Sequence, residues 1–197
     1  MAREVPDKTE FDEMLRYFNQ RLEEENVEVR LAHAPDVAEL VQGQFDEIVI
    51  SSGVRPRTLA LAGIDHPMVL TYPEALLGRK PVGRRVAIIG AGGIGFDMAE
   101  FLLGKSHVPP ELEAFSREYG LDVTMQSRGG LRAPDPVPAS MHQITLLQRK
   151  QKRVGGGLAP TTGWIRRDKL ARHGVEMLAG ADYQAIDDDG LHIIVEG

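Results

Sequence analysis

The sequence predicts an α/β fold, a parallel sheet followed by an antiparallel hairpin, and three observations lead to it. Segments with strand character alternate with helical segments up to about residue 178, which is typical of a parallel sheet with right-handed crossovers. The stretch VAIIGAGGIGFDMAEFLL (86–103) reads as a strand, a glycine-rich turn and a helix. The final segment, ADYQAIDDDGLHIIVEG (181–197), reads as two strands around an acidic turn.

The first elements are indicated by apolar spacing. TEFDEMLRYFNQRLEEE (9–25) has apolar residues at helical spacing and predicts a helix that ends near its last residue. Residues 27–31 alternate between apolar and charged and predict a short strand. DVAELVQGQ (36–44) predicts a short helix, and FDEIVISSG (45–53) contains an apolar run that predicts a buried strand.

The next elements lead into the glycine-rich turn. Residues 54–70 have no clear period, and we interpret them as a crossing segment. In TYPEALLGRKPVG (71–83), Thr71 and Glu74 are spaced as a capping box and predict the start of a helix. RRVAII (84–89) then predicts a buried strand.

After the glycine-rich turn and its helix, a long insertion precedes the second strand. The insertion spans residues 104–142 and contains PPELEAFSREYG (109–120), a predicted helix that starts with two prolines and ends at a glycine. Residues 126–140 are rich in Gly, Pro and Arg and predict a loop. QITLLQRK (143–150) predicts a strand, TTGWIRRDKLARHG (161–174) a helix and VEML (175–178) a strand.

The glycine pattern Gly90-x-Gly92-x-x-Gly95 lies between a predicted strand and a predicted helix. In this context it is the phosphate-binding turn of a Rossmann-like, three-layer nucleotide fold. The first glycine permits the tight turn, the second leaves room for the pyrophosphate, and the third lets the helix pack on the strand. The free N–H groups and the dipole of the helix would attract the phosphates. The alternative is a glycine-rich turn that binds no ligand.

The residues that follow the second predicted strand bear on the choice of nucleotide. An acidic residue at that position would bind the ribose 2′-hydroxyl of NADH. Here Gln148, Arg149 and Lys150 follow the strand, and Lys152 and Arg153 come shortly after. These cations favour the 2′-phosphate of NADPH, because arginine binds phosphate with paired hydrogen bonds. The alternative is a solvated basic loop.

Composition excludes several classes of protein. The chain has 197 residues and a net charge of −6, which argues against a nucleic-acid-binding surface. It has no apolar run of 18 residues and no apolar segment of a secretory signal at its N-terminus, so we expect a cytoplasmic protein without a membrane span. Because cysteine is absent, the chain itself holds no disulfide, redox CxxC pair or cysteine-ligated cluster.

The sequence indicates neither a catalytic constellation nor a metal site. Asp187, Asp188 and Asp189 are explained by an Asp-Gly hairpin turn more simply than by a bound metal. The six histidines lack ligand spacing such as HxxxH, and we expect surface or structural roles for them.

The chain resembles a known family. FDEIVISSGVRPR (45–57), a crossing segment and YPEALLGRKPVGRRVAIIGAGGIG (72–95) resemble the passage from the flavin domain to the nicotinamide domain of pyridine nucleotide-disulfide oxidoreductase-like enzymes. TEFDEMLRYFNQRLE, LLQRK, TTGWIRRDKL and YQAIDDDGLHIIV resemble the C-terminal part of the bacterial NADPH-dependent 2,4-dienoyl-CoA reductases. This resemblance covers nearly the whole chain and includes the long insertion.

The resemblance implies a larger enzyme of which this chain is a fragment. Such an enzyme has a (β/α)8 barrel with FMN and the catalytic acids, a cysteine-ligated 4Fe-4S cluster, an FAD domain and an inserted NADPH domain. Hydride passes from NADPH to FAD, and electrons then reach FMN, which reduces the dienoyl thioester in unsaturated fatty-acid oxidation. The resemblance assigns residues 1–83 to a partial FAD domain with the crossing segment. Residues 84–197 would form an NADPH domain that is truncated at its C-terminus.

The resemblance carries over to a few residues. It assigns the phosphate loop of NADPH to Gly90, Ala91, Gly92, Gly93, Ile94 and Gly95. Arg149 and Lys150 match the 2′-phosphate position, and Ser51, Ser52 and Gly53 occupy the Ala-Thr-Gly turn near FAD, from which both serines depart. No catalytic or metal-binding residue is assigned to this chain. FAD and the enoyl thioester would be contacted only through the absent domains.

Two other functions fit the same residues. One is a non-catalytic module that holds an adenine nucleotide structurally. The other is the equivalent domain of a related amine dehydrogenase or enoate reductase, since the substrate site of each would lie outside this chain.

Overall fold

The computed structural model describes residues 1–104 and 111–195. The chain forms two compact units. One comprises Glu10–Arg57, and the other comprises Met1–Thr9 together with Thr58–Gly197. The predicted boundary between residues 83 and 84 stays a prediction. No helix among the described residues is long and apolar enough to cross a bilayer.

The smaller unit is helical and has no buried core. It contains α1 (Glu10–Glu24) and α2 (Val37–Gln42), close to the predicted ranges. The side chain of Asp36 caps α2 by accepting a hydrogen bond from the N–H of Glu39 at 2.8 Å. All residues of this unit are described, and none of them is buried.

The two strands predicted in this unit are not formed. Residues 27–31 and 47–50 have no strand conformation, and the predicted buried run is open to solvent, with Val49 87% and Ile50 84% exposed. A strand persists only when a neighbouring strand pairs with its backbone groups. Residues 10–57 contain no such partner strand. Alternation and apolar character alone were therefore insufficient to form a strand.

The larger unit is built on a three-stranded parallel sheet. Its strands are β1 (Arg85–Ile89), β2 (Gln143–Leu147) and β3 (Glu176–Leu178), in the order β1-β2-β3. A hairpin follows, formed by β4 (Ala181–Asp187) and β5 (Gly190–Val195). These elements confirm the predicted α/β fold class.

Two helices join the parallel strands and cover the core. They are α4 (Gly93–Leu102), between β1 and the insertion, and α6 (Gly163–Arg172), between β2 and β3. One hydrophobic cluster contains Phe96 of α4, Leu146 of β2 and Leu170 of α6, and all three are completely buried. The strand β1 is less buried than predicted, because its outward residues are exposed and only Val86 and Ile88 are half-buried on the core side.

The insertion contains α5 (Leu112–Tyr119), which confirms the predicted helix. Gly120 ends it with a left-handed backbone (φ +66°), as expected for a glycine after a helix. Pro109 and Pro110 lie outside the described residues. Residues 126–140 form a loop with one short 3-10 turn at Arg128–Gly130, which also agrees with the prediction.

The backbone of the crossing segment bridges the hairpin at Ala62. Ala62 forms a parallel bridge with Ala185 of β4, and the N–H of Ile186 donates to the carbonyl of Ala62 at 2.9 Å. Gly63 follows with φ +76°, and a Cβ there would lie 1.9 Å from the carbonyl oxygen of Ile186. Only a glycine therefore permits this close approach.

The short helix α3 (Tyr72–Leu76) has the predicted capping box. The N–H and the hydroxyl of Thr71 both donate to Oε2 of Glu74 at 2.8 Å, and Lys80 lies 2.8 Å from Oε1 of the same residue. Hydrogen bonds lower the pKa of Glu74 to about 2, with the largest effect from Lys80 and smaller effects from Thr71.

We expect the Glu74 cap to make a pH-dependent contribution to stability. A carboxyl group whose folded pKa is depressed stabilises the fold above its usual pKa of 4.5 and loses that effect as the pH falls towards about 2. At pH 6, Glu74→Gln should therefore have a lower melting temperature than wild type, and this difference should vanish near pH 2. Glu113→Gln, in the exposed first turn of α5, is the matched control. A difference that does not change with pH would contradict this account.

Candidate nucleotide-binding site

The glycine-rich turn and the basic segment meet at the carboxyl edge of the parallel sheet. Ile89 and Leu147, the last residues of β1 and β2, are paired in register. The N–H of Gly90 donates to the carbonyl of Leu147 at 2.9 Å. The chain therefore leaves both strands side by side, at the edge where parallel α/β sheets bind ligands.

Each glycine of the turn has a distinct steric environment. Gly90 has φ +108°, which favours glycine. A Cβ on Gly95 would lie 1.9 Å from the carbonyl oxygen of Gly90 and 3.3 Å from Cδ1 of Leu146. At Gly92 and Gly93, in contrast, a Cβ would meet no atom within 4 Å. The turn is closely packed at Gly95 and open at Gly92 and Gly93, as a pyrophosphate cradle requires.

The N-terminus of α4 is available to a ligand. Its first intrahelical hydrogen bond runs from the N–H of Phe96 to the carbonyl of Gly92 at 3.1 Å, so the N–H groups of Gly93, Ile94 and Gly95 precede the ladder. Within the described part of the chain, no side chain caps this end. Free N–H groups and the helix dipole attract anions. Ala91 packs against the core, whereas Ile94 is 52% exposed.

The predicted 2′-phosphate residues lie directly after β2. Arg149 and Lys150 are exposed, as are Lys152 and Arg153. The side chain of Gln148 donates to the carbonyls of Lys150 (3.0 Å) and Lys152, which holds the segment in a turn. No carboxylate of residues 1–104 or 111–195 lies within 4 Å of these four cations. Their charge remains available to an anionic ligand.

A groove of about 350 Å³ adjoins Arg149. It is lined by Arg149, Gln151, Gly180, Ala181, Asp182 and Ile194. The N–H of Gly180 donates to the carbonyl of Lys150 at 3.1 Å, so the hairpin is joined to the basic segment. Asp182 also places a carboxylate in this groove, and its Oδ2 accepts a hydrogen bond from Gln184 at 2.6 Å.

The residues expected near FAD lie in the smaller unit. Ser51, Ser52 and Gly53 are exposed and irregular in conformation, and Gly53 has φ +78°. Their assignment to FAD stays a prediction.

The acidic hairpin turn has a structural explanation. Asp188 and Asp189 form the two-residue turn, because Asp187 pairs with Gly190 in register. Oδ1 of Asp187 lies 2.8 Å from Nε2 of His192, and this hydrogen bond lowers the pKa of Asp187 and raises that of His192. No group of three or more potential metal ligands is present among the described residues.

An ion-pair network around α4 was not predicted from the sequence. Arg166 of α6 donates to Asp97 (2.6 Å) and to Glu100 (2.7 Å) of α4. Lys8 lies 2.7 Å from Asp97, and Lys169 lies 3.7 Å from Glu100. Burial alone would lower the pKa of Arg166, but the two carboxylates outweigh it and raise that pKa. The only sequence signal is the i, i+3 spacing of the two acids on an otherwise apolar helix.

Two curated proteins are similar to half of this chain. A cinnamate reductase of Clostridium sporogenes is 33% identical over 99 residues, which are 50% of this chain and 15% of that protein. A bilirubin reductase of Mediterraneibacter gnavus is 27% identical over 97 residues, which are 49% of this chain and 15% of that protein. The matched part is thus a small share of each relative.

A solved structure has the same fold along the entire chain. It is a 2-naphthoyl-CoA reductase in complex with 2-naphthoyl-CoA, with a TM-score of 0.72 and 18% identity. The match covers 100% of this chain and 24% of that one. The pyridine nucleotide-disulphide oxidoreductase family matches residues 9–197, nearly the full length. The chain belongs to the pyridine nucleotide-disulphide oxidoreductase family.

Proposed function

We propose that this chain is the NADPH-binding portion of a flavin-dependent oxidoreductase. The observation that carries the proposal is the adjacency, at one sheet edge, of an open glycine-rich turn and a cluster of cations with which no carboxylate of the described residues pairs. The turn and the N-terminus of α4 would hold the pyrophosphate, and Arg149 and Lys150 would hold the 2′-phosphate. NADPH, when bound, supplies a hydride that FAD can accept.

The protein side of this function is positioning and charge. The close contact between Gly95 and Gly90 fixes the turn below the pyrophosphate. The free N–H groups of α4 would bind its oxygens, and the cations after β2 would bind the phosphate on the adenosine ribose. None of these residues moves a proton or forms a covalent bond, so the hydride transfer itself belongs to the cofactors.

For the whole protein, we propose the reduction of a conjugated enoyl thioester, with 2,4-dienoyl-CoA as the substrate that the sequence resemblance implies. The naphthoyl-CoA reductase supports the thioester class, since it shares the fold of this chain. FMN and a 4Fe-4S cluster would lie in other domains, and this chain has no cysteine to bind the cluster. Sequencing the complete reading frame tests this proposal: it should encode a barrel and a cysteine cluster.

Cinnamate reductase favours a second candidate, in which the parent enzyme reduces an unsaturated carboxylate without a thioester. The two candidates share the nicotinamide side and differ in substrate. Assaying the full-length enzyme with a dienoyl-CoA and with the corresponding free acid separates them. Turnover of the free acid alone would support the second candidate.

Replacing Arg149 by alanine should weaken NADPH binding selectively. Losing a charge-assisted phosphate contact costs about 1.5–3 kcal/mol, so the Kd for NADPH should rise about ten- to a hundredfold. The Kd for NADH, which lacks the 2′-phosphate, should change by less than about threefold. Both can be measured by calorimetric titration.

Arg84→Ala is the matched control for this experiment. Arg84 is an exposed arginine at the opposite end of β1, and its loss should leave both dissociation constants unchanged. Tighter binding of NADH than NADPH by the wild type would overturn the 2′-phosphate assignment. It would indicate instead that Asp182, in the same groove, accepts a hydrogen bond from the ribose 2′-hydroxyl. Retention of ADP without binding of either reduced cofactor would support a non-catalytic adenine-nucleotide module.

A further inference from the structure

The ion-pair network on α4 connects three separate parts of the larger unit. Asp97 and Glu100 project from α4, Arg166 and Lys169 come from α6, and Lys8 belongs to the segment before α1. Asp7 of the same segment lies 2.7 Å from Lys169. Among residues 1–104 and 111–195, the network contains three carboxylates and three cations, so its net charge is zero.

The network is partly shielded from water. Side-chain exposure is 9% for Glu100, 20% for Asp97 and 23% for Arg166. The guanidinium of Arg166 also lies 5.5 Å from the ring centre of the buried Phe96. Val5, 1% exposed, anchors the N-terminal segment beside α4. Charges in such a setting are less screened than charges on an open surface.

The carboxylates lie close to the end of α4 that the proposed function assigns to the pyrophosphate. Asp97 is the fifth residue of α4, roughly 6 Å along the axis from the first at 1.5 Å per residue. Its carboxylate would therefore lie on the order of 10 Å from a bound pyrophosphate. Without compensation, Asp97 and Glu100 would repel that anion and oppose the attraction of the helix dipole.

We propose that Lys8 and Arg166 are positioning residues that neutralise Asp97 and Glu100, so that the N-terminus of α4 can accept a dinucleotide pyrophosphate. This inference rests on the proposed function and adds the segment before α1 to the electrostatics of the site. The inference predicts that the affinity for NADPH and NADH falls as the net charge of the network becomes more negative and rises as it becomes more positive. Hydrogen bonding within the network would not produce that dependence.

The two partners of one ion pair provide the test. Lys8→Met and Asp97→Asn both break the 2.7 Å ion pair between these residues, and Asp97→Asn also weakens the 2.6 Å pair with Arg166, but the two variants leave net charges of opposite sign. With a unit charge roughly 10 Å from a doubly charged pyrophosphate, Coulomb's law at the dielectric constant of bulk water gives an effect of about fourfold, which the weaker screening around the network would enlarge. Lys8→Met should raise the Kd for NADPH and for NADH by that factor, and Asp97→Asn should lower both. The double variant should return to within about twofold of wild type.

The measurement is calorimetric titration at about 0.02 M and about 0.5 M salt, with thermal melts of every variant. Both shifts should shrink at the higher salt, because the Debye length falls from roughly 20 Å to about 4 Å. A purely structural role predicts that both single variants lose affinity together, and this result would overturn the inference. Unchanged affinity in both variants would overturn it as well.

Failure of the proposed function gives a different result. Wild-type protein that binds neither dinucleotide overturns the proposed function and this inference together. Opposite shifts with equal affinity for NADPH and NADH support the charge mechanism and reject only the 2′-phosphate assignment. Arg166→Lys, which keeps the charge, should bind both dinucleotides like wild type.

Discussion

Replacing Gly95 by alanine is expected to destabilise the larger unit and to disrupt dinucleotide binding. The added Cβ would lie 1.9 Å from the carbonyl oxygen of Gly90, 3.0 Å from its carbonyl carbon and 3.3 Å from Cδ1 of Leu146. The first contact involves backbone, which cannot rotate away like a side chain. Either α4 must move from β1, or the turn at Gly90 must change.

Overpacking of this kind costs about 1–3 kcal/mol. For a chain of this size, each kcal/mol lowers the melting temperature by roughly 2–4 °C. Affinity for both NADPH and NADH should fall about tenfold or more, because the same displacement misaligns the N–H groups at the start of α4. Thermal melts and calorimetric titrations of the purified variant measure the two effects.

Gly93→Ala is the matched control, because it makes the same change in the same helix. A Cβ on Gly93 would meet nothing within 4 Å, and Gly93 does not have a positive φ. Since alanine is the better helix former, this variant should melt at or above the wild-type temperature. If Gly95→Ala were as stable as Gly93→Ala, the close packing of α4 on the turn would be wrong.

Local chemistry made parts of the fold predictable from sequence. Thr71 and Glu74 form the expected capping box because both partners lie within one turn. Gly120 ends α5 because few other residues adopt φ +66° without strain. Likewise, the glycine pattern marked a turn between strand and helix, which β1 and α4 confirm. In each case the determinants are close in sequence.

Features that depend on distant partners were not predictable in the same way. The run that contains Val49 and Ile50 has strand composition, yet it has no partner strand within residues 10–57. The pairing of Arg166 with Asp97 joins residues that are 69 positions apart, and no local pattern indicates it. The site combines both kinds of feature, since its glycines are marked locally whereas its electrostatic surroundings depend on the tertiary fold.

Replacing Gly92 by alanine should separate binding from folding. Gly92 precedes α4 with an extended backbone (φ −87°, ψ −171°) that alanine can adopt, and its Cβ would meet no protein atom within 4 Å. Alanine is a poorer N-cap than glycine, so a stability loss of about 0.5–1 kcal/mol is expected. The melting temperature should therefore remain close to that of the wild type.

The same methyl group would occupy the space assigned to the pyrophosphate. Losing one charge-assisted hydrogen bond there costs about 1.5–3 kcal/mol, so affinity should fall about ten- to a hundredfold. Because NADPH and NADH share the pyrophosphate, Gly92→Ala should weaken both equally, whereas Arg149→Ala should weaken only NADPH. Calorimetric titration of both ligands against both variants tests the two halves of the site independently. Unchanged affinity in Gly92→Ala would mean that the open space above the turn is not the pyrophosphate site, even if the basic segment still bound a phosphate.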